Sequence, residues 1–211
     1  MRAGRDIIAR HGETVFNAAA RMQGETLHTP LTRAGIAQAG AIGSALHDLL
    51  GPRPMLTMWA SPTGRALQTL AIVAEHLELD WHDARTDPRL VEIGFGSWGG
   101  RGYAEIVAEI GPIVRPDGLV VPAPDGETYV QAAARVGGWL ADTDAAGDRL
   151  IITHGLTSRV MRGLMTGLPV DRDLGAAVGS SLPQGSAVLV DGGVERVVHR
   201  GTGAWGGRDA V

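Results

Sequence analysis

With 211 residues, 44% of them hydrophobic and 20% charged, the chain suits one well-packed domain. Its net charge of −4 gives no reason to expect nucleic acid or an anionic membrane as a partner. The chain has no cysteine and all 19 of its basic residues are arginine, which excludes disulfides, a cysteine nucleophile, a Schiff base with pyridoxal phosphate and a lysine-dependent phosphate loop.

The first third of the chain alternates between strand and helix patterns. The apolar run at 7–9 predicts a strand. A helix then begins after Thr32, which has the side chain of an N-cap, and stops at Gly51-Pro52. Its apolar face is predicted to comprise Ile36, Ala39, Ile42, Leu46 and Leu49. A second strand at 55–60 leads through Ser61-Pro62 into a second helix.

Two long polar stretches separate the remaining elements. Residues 83–102 are glycine-rich and lack a period, so we predict a loop there and a short helix at 103–110. Four prolines at 111–126 exclude a helix and indicate a flap or connector. The remaining predicted elements are helices at 127–140 and 157–165 and strands at 150–153, 186–190 and 194–199. We therefore predict a single domain over 1–211, with a flap or specificity segment at about 101–127.

This alternation of strands and helices predicts an α/β fold, a three-layer αβα sandwich with a mainly parallel central sheet. Ligands bind such sheets at the carboxyl ends of the strands. The first strand ends at Arg10-His11, the second leads to Arg65, and the third ends at His154. We expect these two histidines and two arginines to converge into a cationic cluster suited to a doubly charged phosphate.

The residue types in this cluster point to phosphoryl transfer. A histidine surrounded by arginines is held neutral and keeps a lone pair for attack on phosphorus, while the arginines neutralise the phosphoryl oxygens. Such a site requires no metal ion and no cofactor. It does need an acid to protonate the leaving oxygen, which a carboxyl group in a nearby loop would supply.

Four blocks of sequence, in a fixed order, surround these residues. The blocks are Arg10-His11-Gly12-Glu13-Thr14 with Asn17, Gln23-Gly24 and Pro30-Leu31-Thr32; Ser61-Pro62 with Arg65-Ala66; Leu90, Glu92, Phe95-Gly96 and Trp98; and Thr153-His154-Gly155. Together they resemble the histidine phosphatase superfamily, in its phosphoglycerate mutase-like branch, over roughly three quarters of the chain. The resemblance implies a phosphoglycerate mutase-like fold.

The resemblance also implies a role for each residue of the cluster. His11 would be the phosphorylated nucleophile, and Glu92 would be the general acid and later the base. The residues implied to bind phosphate are Arg10, Arg65 and His154, with Asn17 and Gln23 at family positions that touch the phosphoryl group or the substrate. No metal ligand is implied.

Three functions remain open from the sequence. Hydrolysis of a phosphate monoester through phosphohistidine is favoured, because the mutases carry a longer insertion after the proton-donor loop. A cofactor-dependent phosphoglycerate mutase is the alternative, and a non-catalytic phospholigand-binding module is the third. The sequence does not name the ester, although Tyr103 and Arg115 in the flap segment are expected to contact the leaving group.

The expected partner is a small phosphorylated substrate, with no nucleic acid and no membrane. Only three apolar residues follow Asp6 at the start of the chain, too few for a secretory signal, so we expect a cytoplasmic protein. The two strands predicted at 186–199 read as a hairpin that is either a sheet edge or the contact of a homodimer.

Overall fold

A six-stranded sheet forms the centre of the computed structural model, which describes residues 4–143 and 146–203. The strands are β1 (Asp6–Arg10), β2 (Leu56–Ala60), β3 (Arg85–Thr86), β4 (Asp148–Thr153), β7 (Ala187–Asp191) and β8 (Val194–His199), and β5 (Val170–Asp171) with β6 (Ala176–Ala177) forms a separate small ribbon. The sheet order is β3-β2-β4-β1-β7-β8. The first four strands in that order pair in parallel, whereas β7 pairs antiparallel with β1 and β8 pairs antiparallel with β7, so the sheet is mainly parallel as predicted.

Helices cover both faces of this sheet. The helices are α1 (Val15–Ala18), α2 (Arg33–Leu50), α3 (Gly64–His76), α4 (Tyr103–Ile110), α5 (Tyr129–Asp142) and α6 (Gly155–Met165). Side chains that alternate along the strands enter two different cores, with Ile7 and Leu150 packing against α2 and α3. Ile8 and Ile151 point the other way and pack with Trp139 of α5 and with α6. The predicted three-layer sandwich is therefore confirmed.

Helix α2 begins and ends where its sequence signals predict. The Oγ1 of Thr32 accepts a hydrogen bond from the backbone N–H of Gly35 at 3.0 Å, and the helix stops at Gly51, whose φ is 75°. The expectation that Ile36 lies on the buried face is wrong, because 53% of its surface is exposed. The helix turns Gly35 inward instead, where a Cβ would clash with the carbonyl oxygen of Glu13.

The stretch predicted as a loop at 83–102 contains a short strand and short helical turns that the sequence pattern does not predict. The two residues of β3 pair with Trp59 and Ala60 of β2, and short 3-10 turns follow at Pro88–Leu90 and Gly96–Trp98. Both residues of β3 are exposed, so this edge strand has no apolar pattern to reveal it. The α1 turn and the β5–β6 ribbon were likewise not predicted, since each is too short to show a period.

The flap or specificity segment predicted at about 101–127 begins with α4. The predicted helix at 103–110 is present with those bounds, and the stretch from 111 to 128 contains no helix. A single antiparallel bridge between Val114 and Val120 folds this stretch back on itself. Among the helices of the described ranges, none combines the length and the apolar content needed to cross a membrane.

Candidate active site

The carboxyl ends of three adjacent parallel strands bring the predicted residues to one edge of the sheet. Arg10 at the end of β1 pairs with Thr153 of β4, and Ala60 at the end of β2 pairs with Ile152. A cavity of about 590 Å³, which includes space open to solvent, lies at this edge. Its lining residues include Arg10, His11, Asn17, Gln23, Arg65 and Glu92, which are six of the seven predicted site residues.

The ring of His11 is buried and fixed by the backbone. Its Nδ1 lies 2.7 Å from the carbonyl oxygen of Gly12, an acceptor, so Nδ1 carries the hydrogen and Nε2 keeps the lone pair. Only 3% of the residue is exposed. Burial, and then the positive charges of Arg65 and Arg10, hold the pKa of His11 well below its ordinary value of 6.5. The imidazole is therefore held neutral, with its lone pair on Nε2.

His154 stands behind His11 and does not line the cavity. The two ring centroids are 5.1 Å apart, and His154 is completely buried. Its Nδ1 accepts a hydrogen bond from Arg65 Nε at 3.2 Å, so the proton is on Nε2, which donates to Ser61 Oγ at 2.7 Å. Burial, followed by the charge of Arg65, lowers the pKa of His154 well below 6.5.

Arg65 is oriented by the loop that follows Gln23. Its guanidinium donates to the carbonyl oxygens of Gly24 at 2.6 Å and Thr26 at 2.7 Å, and to Thr29 Oγ1 at 3.0 Å. With the bond to the second histidine, four of its five N–H donors are used, and one on Nη2 remains. Burial lowers the pKa of Arg65 to about 10, so the group stays charged at neutral pH.

Arg10 has a free donor beside His11. Its Nη1 donates to the carbonyl oxygen of Leu182 at 2.7 Å, whereas its buried Nε has no hydrogen-bond partner among residues 4–143 and 146–203. Gly155 lies directly against the guanidinium, and a Cβ at that position would come within 3.2 Å of the Arg10 Cζ. The glycine after His154 thus lets the arginine approach, and the Nε–H remains available as a hydrogen-bond donor to a ligand.

Glu92 holds a carboxylate at the amino end of α6. Its Oε1 accepts hydrogen bonds from the backbone N–H groups of Ile93 at 3.0 Å and Thr157 at 2.9 Å. Its Oε2 accepts one from Leu156 N at 3.1 Å. Both Glu92 and Leu156 line the cavity.

The two polar side chains expected near the phosphoryl group also line the cavity. The Oδ1 of Asn17 accepts hydrogen bonds from the N–H and the hydroxyl of Thr14, at 3.1 and 2.9 Å. Its amide N–H groups are therefore available to a ligand. Gln23 is buried, and its Oε1 has no hydrogen-bond partner within the part of the chain that the structure describes. Because buried polar atoms are normally hydrogen-bonded, this free amide supports a ligand-binding role.

Sequence reasoning missed part of the cavity and misplaced one residue. The lining residues not singled out for the site are Ala20, Arg21, Gly24, Phe95, Val120, Gly155 and Leu156. Tyr103 lines the cavity as expected, but Arg115 does not, because it pairs with Asp171 at 2.9 Å. Arg21 lies two residues before Gln23 in the same motif block, and that proximity was the one available signal. Within the described ranges there is no cluster of three or more metal-ligating side chains.

The two buried histidines predict a loss of stability in mild acid. Both have a lowered pKa when folded, so they stabilise the fold above the unfolded value of 6.5 and lose that contribution as pH falls below it. Each should cost about 1.4 kcal/mol per pH unit below that value. Urea unfolding at pH 7 and pH 5.5 measures how much the free energy of unfolding falls between the two pH values. This fall should be smaller in His154→Gln than in the wild type, and it should stay at the wild-type value in the exposed control His82→Gln. An equal fall in all three proteins would contradict this assignment.

Comparison with known proteins identifies proteins of similar sequence. Glucosyl-3-phosphoglycerate phosphatase of Mycobacterium tuberculosis is 37% identical over 138 residues, 64% of this chain. That match spans only 58% of the relative's own length. The probable phosphoglycerate mutase GpmB of Yersinia pestis is 28% identical over 170 residues, which cover 77% of this chain and 74% of the relative.

The fold and the family agree with these relatives. The native structure of a mycobacterial glucosyl-3-phosphoglycerate phosphatase superposes with a TM-score of 0.73 at 24% identity, covering 97% of this chain and 100% of that one. The sequence profile of the histidine phosphatase superfamily, branch 1, matches residues 7–181. The chain therefore belongs to the histidine phosphatase superfamily.

Proposed function

We propose that the protein hydrolyses a small phosphate monoester through a phosphohistidine on His11, without a metal ion. The observation that carries this proposal is the fixed tautomer of His11. Its Nδ1 donates a hydrogen bond to Gly12 O at 2.7 Å, so the lone pair on Nε2 is available in a cavity that Arg10 and Arg65 also line.

The first step transfers the phosphoryl group to the enzyme. Nε2 of His11 attacks phosphorus, the bond from phosphorus to the leaving oxygen breaks, and protonated Glu92 gives its proton to that oxygen. The positive charges of Arg10 and Arg65 stabilise the phosphoryl oxygens in the transition state. His154 supports this step indirectly, since it contacts Arg65 and stands behind the nucleophile.

The second step returns the phosphoryl group to water. The Glu92 carboxylate, now ionised, accepts a proton from a water molecule that attacks the phosphohistidine. The phosphorus–nitrogen bond breaks, inorganic phosphate leaves, and Nε2 regains its lone pair. The backbone donors at Ile93, Leu156 and Thr157 suit the ionised form of the carboxyl group in this step.

Specificity for the leaving group is assigned to the flap segment at about 101–127 and its neighbours. Tyr103 and Val120 from this segment line the cavity together with Phe95 and Leu156. These side chains give the leaving-group side a largely apolar wall, with Arg21 at its exposed margin. The name of the Mycobacterium tuberculosis relative supports a phosphorylated small molecule as the substrate.

Turnover of p-nitrophenyl phosphate in excess chelator tests this function. The expected result is steady release of p-nitrophenol and phosphate at the rate seen without chelator, because the phosphate is held by arginines. Activity that disappears with the chelator and returns with a divalent cation would contradict the proposal.

The two competing functions have their own outcomes. A mutase would form 2-phosphoglycerate from 3-phosphoglycerate in the presence of a bisphosphate primer, and we expect none. A binding module would bind vanadate or phosphate while turning over no ester in a broad panel. A screen across sugar phosphates, small phosphorylated metabolites and nucleotide-related esters would then identify the substrate.

A further inference from the structure

The hydroxyl group of Thr157 contacts both Glu92 and the residue before it. Thr157 is completely buried in the first turn of α6. Its Oγ1 lies 2.6 Å from the carbonyl oxygen of Val91 and 3.1 Å from Glu92 Oε1. The backbone N–H of the same residue donates to that Oε1 at 2.9 Å. One side chain thus holds the carboxyl group and the backbone that carries it.

The hydroxyl has a single proton, which two acceptors share in a three-centre hydrogen bond. Thr157 Oγ1 donates more strongly to Val91 O, at 2.6 Å, and more weakly to Glu92 Oε1, at 3.1 Å. The hydroxyl is therefore a third donor to Oε1, which two backbone N–H groups already hold.

The two oxygens of Glu92 consequently differ. Oε1 accepts hydrogen bonds from Ile93 N, Thr157 N and the Thr157 hydroxyl, whereas Oε2 accepts one, from Leu156 N, among the residues that the structure describes. Resting on the function proposed above, we propose that Thr157 is a positioning residue that ties down Oε1 so that Oε2 presents the proton to the leaving oxygen. Catalytic groups lose efficiency quickly when they are displaced, which is the reason for such a restraint.

A half-buried ion pair between Arg135 and Glu127 supports the same loop. Arg135 binds both oxygens of Glu127, at 2.6 and 2.8 Å, and donates to Arg89 O at 2.6 Å. Its Nη2 also reaches Thr157 Oγ1 at 3.4 Å, and Glu127 Oε2 accepts from Gly94 N at 3.4 Å. The loop that carries the acid is therefore restrained on both sides of Glu92.

The proposal is tested by kcat/KM for two esters of similar shape, p-nitrophenyl phosphate and phenyl phosphate. Phenolate is the poorer leaving group and depends more on the acid. In Thr157→Val, which keeps the shape and the backbone N–H but removes the hydroxyl, we expect phenyl phosphate to lose about 10- to 100-fold. We expect p-nitrophenyl phosphate to change by less than about threefold, and Thr157→Ser to restore both values.

Two further measurements separate positioning from a structural role. In a Glu92→Gln background the effect of Thr157→Val should vanish, because the hydroxyl acts through that carboxyl group. Thr166→Val removes a hydroxyl at the other end of α6 that donates to Arg162 O at 2.7 Å, and it should leave the ratio of the two esters unchanged. If the valine variant fails to fold, Thr157→Ala is read in the same way.

The outcomes distinguish this inference from the proposed function. Wild-type protein that hydrolyses neither ester would reject the function itself. Hydrolysis by the wild type with an equal loss for both esters in Thr157→Val, or a loss that persists in the Glu92→Gln background, would overturn the positioning role alone. An unchanged Thr157→Val variant would overturn it as well.

Discussion

Replacing His11 with asparagine is expected to lower the kcat for p-nitrophenyl phosphate by about 10⁴-fold or more. The asparagine amide nitrogen takes the place of Nδ1 and can keep the hydrogen bond to Gly12 O, so the cavity should retain its shape. What disappears is the Nε2 lone pair, and no cysteine or lysine in the chain can replace it as a nucleophile. The variant should still bind phosphate or vanadate, because the arginines remain.

Trapping the intermediate makes this result specific. Wild-type protein mixed with a ³²P-labelled substrate and quenched in alkali should carry an acid-labile, alkali-stable label, and the asparagine variant should carry none. His82→Asn makes the same chemical change at an exposed residue and should keep both the label and the activity. Substantial turnover in His11→Asn, or a label that persists in it, would show that another group carries the phosphoryl.

The sequence predicted the parts of the site that depend on local pattern. Short apolar runs followed by Arg10-His11 and by His154 define strand ends, and parallel pairing brings such ends together whatever the loops do. Helix caps such as Thr32 are equally local, which is why that helix begins where it was expected.

The rest of the site depends on contacts between distant parts of the chain. Glu92 lies in a loop without any period, and the backbone groups that hold it belong to α6, 64 and 65 residues later. Its role was inferred only from the family resemblance. His154 was expected among the phosphate ligands, yet its two ring nitrogens are occupied by Arg65 and Ser61, and no sequence pattern reports which way a ring turns. Arg115 likewise does not line the cavity, because it binds Asp171, 56 residues later in the chain.

Glu92→Gln should separate the two chemical steps. Glutamine fits the same space and can still accept from Ile93 N and Thr157 N, but it carries no transferable proton and cannot act as a base. With p-nitrophenyl phosphate, whose leaving group needs little protonation, kcat/KM should fall by less than about 10-fold, while kcat falls by about 10²- to 10⁴-fold because water is no longer activated. With phenyl phosphate, kcat/KM itself should fall by about 10²-fold or more.

A burst experiment distinguishes this division of labour from simple damage to the site. Mixing Glu92→Gln with p-nitrophenyl phosphate should release one equivalent of p-nitrophenol rapidly and then proceed slowly, since phosphohistidine forms and is not hydrolysed. Glu75→Gln, on the exposed side of α3, is the matched control and should behave as wild type. If kcat/KM for the two esters fell equally and no burst appeared, the role of Glu92 would be to stabilise the loop and not to transfer a proton. A burst with normal kcat would assign the proton to another group, and Tyr103, which lines the same cavity, would be the next to replace.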